Sequence, residues 1–276
     1  MPAQVSHDPP HVPKPDDPYS RVDYRRLIAW PERIRREAPF LLRFLEGAPE
    51  RSVIDLGCGT GEHCRFLAAE RFRVAGLDSS GSMLEKAREE PLPPNLRFVA
   101  GDIREAASKL GEAFGAAVCL GNTLVHLTET DDLRQALAAV AAVLRPGGLF
   151  LFQILNYERI FSQKLRYLPL NFRPGDDGET IFLRLMEPLE GGRVRFCPST
   201  LVYDPRAEPP LRVVQSRIVN LRGWRLEELR PLLVGAGLEV AAVHGDMEGG
   251  PFDPARSQDL VVAARRGSCD TLAQGD

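Results

Sequence analysis

The chain has 276 residues, 43% hydrophobic and 26% charged, with a formal net charge of −3. That length and apolar content suit a large α/β core, and the mildly acidic balance makes nucleic acid an unlikely partner. No window approaches the roughly 20 apolar residues of a membrane span, and the N-terminus lacks the apolar stretch of a signal peptide, so no membrane partner and a cytoplasmic location are expected.

Residues 1–18 contain six prolines and few apolar side chains, which reads as a disordered tail. Residues 19–50 read as an N-terminal helical lid, with helices interrupted near Pro31 and Pro39. From 51 to 176 strand and helix patterns alternate. Strands are predicted near 52–56, 73–77, 96–100, 115–120 and 148–154, and helices near 62–70, 81–89, 103–110 and 131–144. Such alternation builds a parallel sheet covered by helices on both faces.

The pattern then changes. Residues 177–221 read as an antiparallel β insertion of three strands, near 180–185, 193–196 and 213–219, placed to cap an acceptor site. The core resumes over 222–266 with a helix near 224–234 and strands near 238–244 and 258–264, and 267–276 form a second tail. The predicted fold class is thus α/β, a doubly wound, seven-stranded, mostly parallel sheet. The five cysteines form no C-x-x-C pair, so neither a disulfide framework nor a metal site is expected. Four lysines among 35 basic residues point to a GC-rich bacterial genome.

The most informative segment is Val53-Ile54-Asp55-Leu56-Gly57-Cys58-Gly59-Thr60-Gly61, an apolar strand that ends in an acid and opens into three glycines at alternate positions. Glycines leave no Cβ between backbone and ligand, and the following helix presents its positive end. A dinucleotide loop would read G-x-G-x-x-G, whereas this spacing is G-x-G-x-G. Asp78 lies 17 residues beyond Gly61 at the end of the second strand, where both carboxylate oxygens can accept from a vicinal diol. Asp102 ends the third strand.

These three features resemble the class I S-adenosylmethionine-dependent methyltransferases over roughly residues 50–155. The resemblance implies S-adenosylmethionine as cofactor, with Asp78 and its neighbour Ser79 at the ribose, Asp102 at the adenine amino group and the Ile103 N–H at a ring nitrogen. It also implies Met83 against the purine, Asp55, Gly57, Cys58 and Gly59 around the methionine portion, and Leu120 at the sulfonium. Tyr24, Trp30 and Arg33 would close over the cofactor from the lid. Leu120-Gly121-Asn122-Thr123-Leu124-Val125-His126-Leu127 and Asn156-Tyr157 are similar to segments of the glycine N-methyltransferase-like group. Asn122, His126 and Tyr157 are the candidate catalytic residues, His126 because an imidazole can take a proton near neutral pH. The chain departs from the glycine enzyme at Leu155, where that enzyme places an arginine for the substrate carboxylate. An aliphatic chain cannot replace a guanidinium clamp, although Arg173, Arg184, Arg195 or Tyr203 of the insertion could restore polarity.

The expected activity is in-line methyl transfer to a nitrogen or oxygen of a small molecule, with no metal. Alternatives are an NAD-dependent oxidoreductase and a non-catalytic cofactor-binding protein of the same fold. Oligomeric state is left open by the sequence.

Overall fold

The computed structural model describes residue 25 and residues 28–175 and 178–267. Tyr24 and both predicted tails, except Gly267, lie outside the described residues.

Helix α1 (Trp30–Leu45) precedes five βα-type strands: β1 (Ser52–Leu56), β2 (Arg73–Asp78), β3 (Leu96–Ala100), β4 (Phe114–Cys119) and β5 (Leu144–Leu155). Between them lie α2 (Glu62–Ala69), α3 (Gly81–Ala87), α4 (Ala106–Leu110) and α5 (Thr130–Val143). After β5 come α6 (Tyr157–Ser162), the strands β6 (Asn171–Gly175), β7 (Gly178–Pro188), β8 (Arg193–Tyr203), β9 (Leu211–Ser216) and β10 (Val219–Arg222), then α7 (Leu226–Gly235), β11 (Leu238–His244) and β12 (Asp259–Arg266).

The main sheet has the order β11-β12-β5-β4-β1-β2-β3. β1 pairs in parallel with both β2 and β4, so the strand order reverses there, and in open α/β sheets ligands bind outside the carboxyl ends of the strands at such a switch point. β12 runs antiparallel to β5 and to β11. β1 and β4 are buried at every position, as a strand covered on both faces must be. One face packs under Phe40, Leu41, Leu67 and Leu84 from α1–α3. The other packs under Leu133, Leu137, Leu229 and Leu233 from α5 and α7.

Three expectations are corrected. Helix α1 runs unbroken through Pro39. Pro39 and Arg35, whose carbonyl loses its partner, are both exposed, so the stranded carbonyl lies on the solvent side of the helix, while Pro31 sits in the first turn, where proline is tolerated. Residues 145–148, between the helix predicted to end at 144 and the strand predicted from 148, are absorbed into β5, with a bulge between the pairs Phe114–Leu144 and Ala116–Leu149 and Gly147 at φ 72°. The second sheet has five strands instead of three and starts at Asn171, ahead of the boundary expected at 177. The run 213–219 divides into β9 and β10, which pair with different halves of β8.

The second sheet is seated on the core through Met186, Val194, Leu221 and Trp224, which join the cluster under Tyr157 and Ile160. Trp224 is 2% exposed and its indole N–H donates to the Leu127 carbonyl at 3.0 Å, tying the insertion to the loop after β4. Trp224→Ala is expected to cost about 3–5 kcal/mol through the cavity it leaves. Thermal unfolding checks this, and an unchanged melting temperature would show that the insertion is held elsewhere.

Candidate active site

The loops that follow β1, β2, β3 and β4 lie at the carboxyl edge of the sheet. In the first, Gly57 (φ 75°) and Gly59 (φ 56°) adopt conformations that favour glycine, and Gly57 N–H and Cys58 N–H both donate to the Leu77 carbonyl at 2.7 and 3.1 Å. A Cβ on Gly57 would overlap the side chain of Thr123, which places the β1 loop directly against the β4 loop. A Cβ on Gly59 or Gly121 would meet nothing within 4 Å. Each of these two glycines therefore has open space beside its Cα.

Asp78 closes the near end. Its Oδ2 accepts the Gly59 N–H at 2.7 Å and its Oδ1 the Ser80 N–H at 2.8 Å. These two backbone donors fix the carboxylate at the end of β2, beside the β1 loop. Helix α3 is capped by Ser80, whose Oγ accepts from Met83 N–H at 3.2 Å, and not by Asp78. Ser79 is exposed, and Met83 is buried.

Asp102 caps the turn Ile103–Glu105 and is clamped by Arg104, with Oδ1 accepting the Arg104 N–H and Nε and Oδ2 accepting Nη2, all at 2.8–2.9 Å. The Arg104 hydrogen bonds hold this carboxyl below the usual range. Three of its lone-pair sites are thereby taken, leaving room for a single further donor. The Ile103 N–H opens the turn, a position without a partner inside it.

On the lid side, the Arg33 Nε donates to Glu37 at 2.8 Å and its guanidinium lies 5.0 Å over the Trp30 ring. Glu37, 3% exposed, also meets His63 Nε2 at 2.8 Å. Burial would raise the Glu37 carboxyl, but His63 and Arg33 outweigh it and lower it. Asp55 is 2% exposed, and burial pushes its carboxyl up; the Cys64 thiol donates to it at 3.4 Å. Burial likewise pushes the Cys58 thiol up to about 11, so it stays protonated near neutral pH.

The loop after β4 is built around Asn122, at φ 68°. Its Oδ1 accepts the Leu155 N–H at 2.9 Å and its Nδ2 donates to Tyr157 Oη at 3.1 Å. Asn122 and Tyr157 are thus brought together, but the Tyr157 ring is 1% exposed and burial pushes its hydroxyl up, which suits a support for Asn122 better than a proton carrier. Tyr157→Phe is expected to lower stability by about 1–2 kcal/mol through the donor it orphans, with less than a tenfold change in turnover. A loss of turnover at unchanged fold would return Tyr157 to the chemistry. His126 lies in the turn Leu124–His126 at an exposed position. Surrounding protein desolvates its ring and Arg217 adds a like charge, so its pKa falls and the neutral form prevails at pH 7. Leu120, 5% exposed, lies under the same loop, its carbonyl accepting from Thr123 Oγ1 at 2.8 Å.

The residue types at this crevice can be compared with those of known proteins. The methyltransferase domain family matches residues 53–148. The chain is 30% identical over 229 residues to a glycine/sarcosine N-methyltransferase of Aphanothece halophytica, covering 80% of this chain and 79% of that one. It belongs to the S-adenosylmethionine-dependent methyltransferases. Within that family it resembles the glycine N-methyltransferase-like group. It is 38% identical over 99 residues to the dTDP-4-amino-2,3,4,6-tetradeoxy-D-glucose N,N-dimethyltransferase of Saccharopolyspora spinosa, over 36% of this chain and 38% of that one. Alignments with several further curated relatives span about half of each relative's length. Among solved structures, an amino pentose methyltransferase from Micromonospora echinaspora with S-adenosylmethionine bound superposes with a TM-score of 0.68 at 26% identity, over 95% of this chain and all of that one.

The methyltransferase is therefore an enzyme that uses S-adenosylmethionine, and the nicotinamide alternative drops out. The residues fit that cofactor: Gly59 and Gly121 have no protein atom within 4 Å of a Cβ, and a carboxylate held by the Gly59 and Ser80 N–H groups stands at the end of β2. Among the described residues no group of three His, Cys, Asp or Glu side chains could hold a metal, and no helix is long and apolar enough to cross a membrane. Arg173 and Arg184 are partly buried in the second sheet, where Arg184 Nη2 donates to the Pro169 carbonyl. Arg195 and Tyr203 are exposed there, Arg195 paired with Glu187.

Sequence reasoning missed two residues tied to the loop after β4. Gln153 Oε1 accepts the Gly121 N–H at 2.8 Å and its Nε2 donates to Asp259 Oδ1 at 2.9 Å. The signal was a lone amide inside the apolar run Leu149–Leu155. Nothing local marked Asp259, because its neighbour Leu155 is supplied by sheet pairing.

Proposed function

We propose that the enzyme transfers the cofactor's methyl group to the nitrogen of a small-molecule amine. The supporting observation is the close approach of Gly57 to Thr123, which sets the glycine-rich loop after β1 against the loop after β4 that carries Asn122. Both of the sequence relatives described above are named as N-methyltransferases. Asp78 and Ser79 would hold the ribose, Asp102 and Ile103 the adenine, and Met83 would lie along the purine. Asp55, Gly57, Cys58, Gly59 and Arg33 would surround the methionine portion, with Leu120 at the sulfonium. When bound, S-adenosylmethionine supplies an electrophilic methyl that an amine lone pair can take in line.

The chain's own contribution is then orientation and exclusion of water. Asn122, fixed by Leu155 and Tyr157, holds the β4 loop against the cofactor loop. The second sheet would cap the acceptor site from 171 to 222, since β10 lies beside the turn Leu124–His126. His126, in the turn after β4, would accept the proton an amine releases. The lack of an arginine at Leu155 disfavours glycine and other carboxylate-bearing acceptors. Methyl-labelled cofactor offered with paired amino and hydroxy forms of one sugar nucleotide tests this, with label expected on nitrogen; label on oxygen would overturn it.

A further inference from the structure

We infer that Asp259 is the acceptor-selecting residue of this enzyme, its free carboxylate oxygen taking an N–H of the substrate amine while Leu155 beside it leaves nothing to hold an α-carboxylate. This rests on the amine reading above. Asp259 opens β12 and is the register partner of Leu155, the last residue of β5. Residues directly opposite in an antiparallel pair share a face, with Cβ atoms about 5 Å apart. At the position where the glycine enzyme places its cation, this chain therefore presents an aliphatic side chain and an acid together.

The acid is held in place. Gln153 bridges it to the methyl-end loop, accepting from Gly121 N–H and donating to Asp259 Oδ1. This chain of two hydrogen bonds fixes Asp259 relative to the loop carrying Asn122. Its Oδ2 has no hydrogen-bond or ion-pair partner among the described residues, although the group is largely withdrawn from solvent and burial pushes its carboxyl up to about 6. Arg33 and Arg36 are the cations that act on it from α1, and Glu37 opposes them. Both arginines are instead paired with Glu37, and Arg36 also with Glu248. A half-satisfied, desolvated carboxylate is costly unless a donor arrives, and an amine bound at the β4–β5 edge supplies one. An amino acid would bring its own carboxylate towards Asp259, and like charges at such range repel.

The test uses the full-length enzyme with methyl-labelled S-adenosylmethionine and four acceptors: ethanolamine, dTDP-4-amino-2,3,4,6-tetradeoxy-D-glucose, glycine and sarcosine. The wild type is expected to methylate amines without an α-carboxylate and to reject glycine and sarcosine. Asp259→Asn should raise the acceptor KM at least tenfold with cofactor affinity, read by calorimetry, unchanged; Leu155→Arg combined with Asp259→Asn should admit sarcosine. An unaltered acceptor KM in Asp259→Asn, weakened cofactor binding in its place, or wild-type turnover of sarcosine would each overturn the assignment while leaving the amine reading intact. No methyl transfer to any of the four by a cofactor-binding wild type would remove the amine reading, and this inference with it.

Discussion

Asp78→Ala is expected to weaken S-adenosylmethionine binding by about 10²- to 10⁴-fold. Hydrogen bonds to a charged group contribute about 1.5–3 kcal/mol each, and two ribose hydroxyls would be lost, at about 1.4 kcal/mol per factor of ten. The same substitution orphans the Gly59 and Ser80 N–H groups that Asp78 now receives at 2.7 and 2.8 Å, so the loop itself loosens. Asp78→Asn should fall between, since an amide keeps one acceptor and adds a donor. Calorimetric titration of both variants measures the effect. Affinity within threefold of wild type for Asp78→Ala would place the ribose elsewhere.

The second large effect separates folding from binding within one loop. Gly57→Ala puts a Cβ into Thr123 at φ 75°. The left-handed conformation costs about 1–2 kcal/mol, and overpacking adds about 1–3 kcal/mol. Thr123 cannot yield freely, because its hydroxyl holds the Leu120 carbonyl at 2.8 Å. Stability should therefore fall by about 2–5 kcal/mol. Gly59→Ala carries the conformational cost alone, since its Cβ meets no protein atom within 4 Å, yet under the proposal that open space is where the methionine portion would approach. Its melting temperature should shift little while cofactor affinity falls at least tenfold. Equal effects of the two substitutions on stability and on affinity would mean that Gly59 does not face the ligand.

The main sheet was legible because its strands are local apolar runs bounded by strong turn signals, and the three strand-end acids lie in order along the chain. Asp55, Asp78 and Asp102 could be placed without knowing any pairing. The second sheet was less legible: β7 and β8 bury few residues, their alternation is weak, and β9 and β10 are separate only because β8 is long enough to pair with both in turn. Pro39 misled because the cost of a proline depends on whether the carbonyl it strands meets water, which the sequence does not display. Asn122 and Tyr157 were found by resemblance, but their mutual hydrogen bond, and with it a supporting role for the tyrosine, required the burial of its ring. Asp259 could not be found at all without the register of β12 on β5.

The most direct test of the account is a crystal structure of the enzyme with S-adenosylhomocysteine. Ribose hydroxyls on Asp78, the adenine amino group on the remaining acceptor site of Asp102, and the sulfur between the Gly57–Gly61 and Gly121–Thr123 loops are the predicted result. A cofactor that leaves Asp78 without contact, or whose sulfur points away from the β4–β5 edge, would contradict both the site and the acceptor chemistry built on it.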